Sequence, residues 1–136
     1  MTERPVVEAE GLDADPLAAA LTVADLPASV AWYCDALGFR IEREFVREGV
    51  RRSVRVTAGA VRLLLNQDDG TKGTERQKGV GCSFMLTTRQ SVDALAARAA
   101  AHGELASAPA DTPWGGRAFR VRDPDGFLFT ISSPVV

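Results

Sequence analysis

The two halves of this 136-residue chain repeat one another, and this internal repeat limits the folds that the chain can adopt. Three pairs of matching segments carry the repeat: 29–30 with 91–92, 52–56 with 117–121, and 61–65 with 127–131. Each half reads as a strand, a helix and then three strands, and one such half alone would leave an apolar sheet face uncovered. Two halves, paired within one chain or across a dimer, would cover these faces. The repeat therefore predicts an α+β protein of two βαβββ modules.

Changes in composition mark the predicted boundaries of the modules within one structural domain. Residues 1–16 are acidic and lack periodicity, which predicts a flexible N-terminal arm. Residues 17–66 carry the first βαβββ module, and residues 80–133 carry the second. Between them, residues 67–79 are polar and rich in Gly, Asp and Lys, which is typical of a linker loop.

Capping and turn residues predict where the helices and strands begin and end. Asp25 is a good N-cap for the first helix and Gly38 ends it, while the second predicted helix covers 91–102 and ends at Gly103. The predicted strands are 17–23, 39–46, 51–57, 60–66, 80–87, 104–106, 117–122 and the strand that follows the Asp-Pro-Asp-Gly turn at 123–126.

The composition is that of a soluble globular protein, with 46 % hydrophobic and 25 % charged residues. A net charge of −2 gives no electrostatic reason to expect a nucleic acid or an anionic membrane as a partner. No segment approaches the roughly 20 apolar residues of a membrane helix, and the N-terminus does not resemble a secretory signal, so the expected location is the cytoplasm. Cys34 and Cys82 have apolar neighbours and lack CxxC spacing, so both are expected to be buried, reduced thiols.

The sequence offers no residue set for nucleophilic catalysis. Its only histidine, His102, lies at the predicted C-terminal end of the second helix, where it would meet the helix dipole or solvent. Glu42 and Glu44 lie in a polar-faced strand and are expected to be solvated, with an all-oxygen metal site as the alternative. We therefore predict no catalytic residue, with catalysis by an arginine or a lone carboxylate as the alternative.

Two longer motifs resemble those of the vicinal oxygen chelate superfamily. They are LTVADLPASVAWYCDALGF at 21–39 and WGGRAFRVRDPDGFLFTI at 114–131, and the resemblance extends over residues 17–133. This superfamily includes glyoxalase I, extradiol dioxygenases, fosfomycin-resistance proteins and bleomycin-resistance proteins. The resemblance implies that the curved mixed sheets of the two modules enclose a cavity, with the helices outside. It does not imply one function, because the fold hosts many chemistries.

The metal enzymes of this superfamily bind their ion through histidines in the first strands and a glutamate in a last strand. Carried over by register, these positions fall at Ala18, Gly81 and Thr130. None of these residues can ligate a divalent metal as a histidine or a carboxylate would. We therefore expect no metal and no other cofactor, as in metal-free bleomycin-resistance-like members.

The resemblance also implies which side chains surround the cavity. The strand residues that it places there are Arg55, Arg62, Leu64, Asn66, Ser83, Met85, Arg120, Leu128 and Thr130. Arg55 and Arg120 occupy equivalent positions in the two modules and could clamp an anionic or carbonyl-bearing ligand. Trp114, between Pro113 and Gly115, could close over a flat ligand and contribute about 0.5–2 kcal/mol by stacking. The alternative is that Trp114 caps the sheet edge or the module interface.

Residues and resemblance together predict a metal-independent protein that binds a small hydrophobic or aromatic compound, such as an antibiotic. A homodimer in which both chains build each cleft is expected, without a nucleic acid or membrane partner. Two alternatives stay open. One is a metal-dependent lyase, isomerase or dioxygenase of the same superfamily, and the other is an interaction module whose sheet faces bind partners.

Overall fold

The computed structural model describes residues 10–73 and 77–134. In these residues the chain forms β1 (Ala18–Val23), α1 (Leu26–Leu37), β2 (Arg40–Arg47), β3 (Val50–Ala58), β4 (Val61–Gln67), β5 (Ser83–Thr87), α2 (Val92–Ala100), β6 (Ser107–Asp111), β7 (Arg117–Arg122) and β8 (Leu128–Ser133). Residues 1–9 of the predicted arm and residues 74–76 of the predicted linker lie outside the described residues. Residues 10–16 form neither helix nor strand and are exposed to solvent.

Within the described part of the chain, the strands form two four-stranded sheets, ordered β1-β4-β3-β2 and β5-β8-β7-β6. β1 runs parallel to β4 and β5 runs parallel to β8, whereas the other neighbours are antiparallel. Equivalent rows cross the sheets: Ala20, Leu64 and Arg55 in the first, and Met85, Thr130 and Arg120 in the second. The predicted α+β fold is confirmed, and the mixed sheets are curled without closing into a barrel.

The two helices begin at equivalent N-caps, Asp25 and Ser91. The Asp25 carboxylate accepts a hydrogen bond from the backbone N–H of Ala28 at 3.1 Å, and Ser91 Oγ accepts one from Ala94 at 3.2 Å. The sequence match of Ser29 with Ser91 is therefore one helical turn out of register.

The helix ends agree with the sequence for α1 and differ for α2. Gly38 caps α1 in the left-handed region with φ 78°, as predicted from the sequence. α2 ends at Ala100, before the predicted end at His102. The backbone N–H of His102 bonds to the carbonyl of Ala99 at 3.0 Å, so a tighter turn replaces the last helical turn.

Two predicted strands differ in the structure. β5 begins at Ser83 because Gly79 and Gly81 adopt φ values of 74° and 73°, which a regular strand does not accommodate. The strand predicted at 104–106 is wrong, and β6 follows it at Ser107–Asp111. Pro109 is tolerated in β6 because this strand lies at the edge of its sheet.

A hydrophobic cluster joins the two modules. Buried residues from the first sheet, such as Leu21 and Val54, share it with Phe119 and Phe129 of the second. The ring of Tyr33 on α1 lies 5.8 Å from the ring of Phe129, and α1 also contacts α2. Since the apolar face of each sheet lies in this common core, the opposite face of each sheet is left uncovered by the helices and strands that the structure describes.

The Asp-Pro-Asp-Gly turn holds a buried carboxyl, Asp123, against α1. Tyr33 Oη donates a hydrogen bond of 2.6 Å to this carboxyl, and the backbone N–H groups of Asp125 and Phe127 donate to its other oxygen. Burial raises the pKa of Asp123, and burial together with Asp123 raises the pKa of Tyr33 well above its usual range.

Asp125 of the same turn makes hydrogen bonds that connect the second module to the first. Its carboxylate accepts hydrogen bonds from the backbone N–H of Ala24 at 2.9 Å and from Ser29 Oγ at 3.4 Å. Lys78 Nζ lies 3.3 Å from Asp125 and 3.3 Å from Asp68, and all three side chains are nearly buried. We refer to Asp125, Ala24, Ser29, Lys78 and Asp68 as the intermodule clasp.

The cysteines only partly follow the prediction. Cys82 is exposed, so the expectation that it is buried is wrong, because the turn before β5 carries it outside the core. Cys34 is partly buried on α1, and burial raises the pKa of its thiol.

Candidate functional site

A groove of about 810 Å³ opens on the uncovered face of the first sheet. Among the residues that line it are Phe45 of β2, Ser53 of β3, and Leu64 and Asn66 of β4. The strand register places Phe45 opposite Ser53 and Ser53 opposite Asn66, so these side chains form a continuous surface. A cavity of this size suits a drug-sized molecule.

Phe45 supplies the aromatic surface of the groove. The guanidinium carbons of Arg43 and Arg55 lie 4.8 Å and 5.7 Å from the centre of its ring. Arg55 is also 3.4 Å from the Glu42 carboxylate. Arg55 thus borders the groove, but its charge is shared between a carboxylate and an aromatic ring, which weakens it as a clamp for an anion.

An irregularity in the β2–β3 pairing adds a charged residue to the groove. Val46 pairs with Arg51 and Phe45 pairs with Ser53, so Arg52 is an extra residue without a partner on β2. In a regular strand Arg52 and Ser53 would face opposite sides of the sheet. The β-bulge instead lets both neighbours line the groove.

The polar atoms of the groove are arranged around Asn66. Ser53 Oγ donates a hydrogen bond of 2.6 Å to Asn66 Oδ1. The side-chain NH₂ of Asn66 makes no hydrogen bond to any residue that the structure describes. A ligand carbonyl or hydroxyl in the groove can accept from this amide.

The charges that line the groove balance. Its basic side chains are Arg43, Arg47 and Arg52, and its acidic side chains are Glu44, Asp68 and Asp69. An apolar centre with a balanced polar rim favours a neutral ligand with an apolar body over a strongly charged one.

The predicted site residues on strands lie partly on the first sheet and partly on the second. Leu64 and Asn66 line the groove, Arg55 borders it, and Arg62 lies exposed on β4. The remaining strand residues share the open face of the second sheet: Ser83, Met85, Arg120, Leu128 and Thr130. Met85 is the most exposed large hydrophobic side chain there, at 70 %.

Trp114 lies on the turn between β6 and β7, it does not line the groove of the first sheet, and 74 % of it is exposed. The turn is tight, since Thr112 exchanges backbone hydrogen bonds with Gly115 and Gly116. A Cβ atom at Gly116 would lie 2.5 Å from the carbonyl oxygen of Ser133, so no side chain fits there. The expectations that Trp114 closes over the ligand, or that it caps an edge or interface, both remain predictions.

Sequence reasoning missed several groove residues, above all Phe45, Arg43 and Arg52. The alternation of Arg43 with Phe45 is visible in the sequence and places both on one face of β2. It does not reveal which face is open, and nothing in the sequence marks Arg52 as a bulge residue.

The residues at the metal-binding positions of the superfamily do not fit a metal ion. Ala18 pairs with Arg62 and Ser83 pairs with Leu128, so the structural equivalent of Ala18 in the second module is Ser83 rather than Gly81. The three positions are thus occupied by Ala18, Ser83 and Thr130, and none of these residues carries an imidazole or a carboxylate that could bind the ion. Across the described ranges, no three His, Cys, Asp or Glu side chains are grouped so that they could hold an ion.

Comparison with known proteins places this fold in a family. Residues 16–131 match the family model of the Glyoxalase/Bleomycin resistance protein/Dioxygenase superfamily. Because this match covers most of the sequence, the chain belongs to that superfamily. No curated protein sequence matches the chain significantly.

Solved structures of low sequence identity share the fold. TioX from Micromonospora sp. ML1 is 22 % identical, with a TM-score of 0.72 over 90 % of this chain and 100 % of that chain. A glyoxalase-related enzyme from Fulvimarina pelagi is 21 % identical, with a TM-score of 0.69 over 87 % of each chain. A lactoylglutathione lyase from Agrobacterium tumefaciens is 19 % identical, with a TM-score of 0.61 over 89 % of this chain and 94 % of that chain. At these identities the likeness establishes the fold alone.

Neither helix in the described ranges is long and apolar enough to cross a membrane.

Proposed function

We propose that this protein binds a small hydrophobic or aromatic compound, such as an antibiotic, in the groove of the first sheet without using a metal ion. One observation carries the proposal: an aromatic ring, Phe45, and an aliphatic side chain, Leu64, share a drug-sized groove with an unused amide donor on Asn66. Apolar surface supplies most of the affinity in such a site, and a few polar groups orient the ligand.

A homodimer would complete this site. The groove is open to solvent, and the second sheet carries its own open face with the predicted site residues Met85, Thr130 and Leu128. If the second sheet of one chain covers the first sheet of another, two open faces become one enclosed cavity. This arrangement agrees with the sequence-based expectation that both chains build each cleft.

The proposal is tested with the uncharged fluorescent aromatic probe N-phenyl-1-naphthylamine, because the balanced rim of the groove favours a neutral ligand with an apolar body. We expect saturable binding to the native protein and a loss of affinity of about tenfold or more in Leu64→Glu, because a charge in the groove opposes burial of the aromatic body. Ala97→Glu is the matched control, since it introduces the same charge on the exposed side of α2, outside the groove. Equal affinities of the two variants would contradict the proposal.

Metal content separates this function from the alternative of a metal-dependent lyase, isomerase or dioxygenase. The protein is incubated with Zn, Ni, Mn or Fe, dialysed exhaustively and submitted to elemental analysis. We expect no stoichiometric ion. One equivalent of any of these metals would overturn metal-independent binding and direct the search to acidic ligands such as Glu42 and Glu44.

A further inference from the structure

A second cavity, of about 530 Å³, lies between the two modules and is lined by residues of both sheets and both helices. We call it the intermodule cleft and define it by Leu37, Val61, Leu86, Leu95, Arg89 and Arg98. No residue of this cleft lines the groove of the first sheet, so the two cavities are separate.

Apolar residues from both modules line part of the intermodule cleft, and Thr87, Thr88 and Gln90 add polar groups to it. Leu37 at the end of α1 and Val61 at the start of β4 face Leu86 of β5 and Leu95 of α2, and all four are only partly buried. Residues 58–60 (Ala-Gly-Ala), at the end of β3 and in the β3–β4 turn, also line the cleft, and their small side chains take up little of its volume. The four partly buried aliphatic side chains thus leave apolar surface accessible at the junction of the modules.

The charge of the intermodule cleft is one-sided. Both charged residues that line it are arginines, Arg89 and Arg98, and no acidic residue among the described ones lines it. Arg98 is held in place, since its Nε and Nη2 donate to the backbone carbonyls of Asp35 at 2.9 Å and Cys34 at 3.1 Å. Arg89 makes no ion pair with any residue in the described ranges.

We propose that the intermodule cleft binds a small organic carboxylate with an apolar body. The apolar residues of the cleft would cover the apolar body of the ligand. Arg89 and the remaining donors of Arg98 would bind its carboxylate, because the planar guanidinium group matches the geometry of carboxylate and phosphate groups. The proposal does not depend on the function of the open-face groove, whose rim charges balance.

Selective methyl labelling locates the ligand, and octanoate is the probe. The chain has two isoleucines: Ile131 lines the intermodule cleft, and Ile41 lies on β2 outside it. Met85 reports on the open face of the second sheet. We expect octanoate to shift the Ile131 methyl signal in a saturable way, to leave those of Ile41 and Met85 in place, and to bind more tightly than octanol.

Charge-reversal variants test the role of the arginine. Arg89→Glu is expected to weaken octanoate binding by about tenfold or more, because it replaces a partner of the carboxylate by a like charge. Lys72→Glu makes the same charge change on an exposed loop residue outside the cleft and is expected to leave the affinity unchanged.

Four results would overturn the inference: no saturable shift at Ile131, equal affinity for octanol and octanoate, unchanged octanoate binding in Arg89→Glu, or loss of octanoate binding in Leu64→Glu. A loss of octanoate binding in Leu64→Glu would mean that octanoate occupies the groove of the first sheet.

Discussion

At the scale of single residues, one hydrogen bond, from Tyr33 to Asp123, connects the motif at 21–39 to the motif at 114–131. Burial raises the folded-state pKa of Asp123, whereas the 2.6 Å bond from Tyr33 works in the opposite direction. A carboxyl whose folded pKa is raised contributes stability below its unfolded pKa, and this contribution is lost as the pH rises through the folded pKa. The hydrogen bond from Tyr33 reduces this loss of stability, because it keeps the folded-state pKa of Asp123 lower than burial alone would.

Tyr33→Phe is therefore expected to lower the free energy of unfolding by about 1–3 kcal/mol, because it leaves a buried carboxyl oxygen without its donor. The penalty should be larger at pH 7 than below pH 4, since the lost bond is strongest to the ionised carboxylate. Urea unfolding at the two pH values measures both quantities. The phenyl ring keeps the contacts of Tyr33 with Phe39 and Phe129, so a penalty that does not change with pH would contradict the assigned role of the hydroxyl.

At the scale of elements, the β2–β3 hairpin shapes the groove, and its turn contains a residue, Glu48, in an unfavourable backbone conformation. Glu48 and Gly49 form its two-residue turn with φ values of 53° and 76°. A turn with both residues in the left-handed region matches the twist of the strands, and Asn-Gly is its preferred sequence. Glu48 is the only described non-glycine residue with positive φ, so it bears a backbone cost that glycine or asparagine would reduce.

Glu48→Asn is expected to raise the free energy of unfolding by roughly 0.5–1 kcal/mol, because asparagine adopts the left-handed conformation more readily. Glu48→Gln removes the same charge without this preference and serves as the control. Thermal or urea unfolding of both variants measures the difference. An equal change in the two variants would show that charge, rather than backbone conformation, is responsible.

At the scale of the whole molecule, the intermodule clasp joins modules that share one hydrophobic core. The side chain of Asp125 is 5 % exposed and that of Lys78 is 10 % exposed, so their attraction is far less screened by solvent than that of a surface pair. Asp125 also occupies a backbone donor of the first module, Ala24. One carboxylate thus links the β7–β8 turn to the start of α1.

Asp125→Ala is expected to cost about 2–4 kcal/mol of stability, because it leaves Lys78 with only Asp68 and deprives Ala24 of its acceptor. Chemical unfolding, followed by Trp32 and Trp114 fluorescence and by circular dichroism, measures this cost and tests whether the modules still unfold together. Glu44→Ala removes an exposed ion pair with Arg51 and should cost much less. A similar cost for both variants would contradict the role of the clasp.

Local patterns in the sequence were sufficient for the repeat, the caps Asp25 and Gly38, strand β7 and the α+β fold, because capping, turns and strand alternation depend on near neighbours. They also placed Leu64 and Asn66 on one face of β4. The sequence did not locate Arg52 in the groove, because a β-bulge depends on how two strands pair. It did not reveal that Asp125 holds Ala24, nor that a cleft lined by two arginines lies between the modules. These features require residues far apart in the chain to meet, and only the packing of one module on the other brings them together.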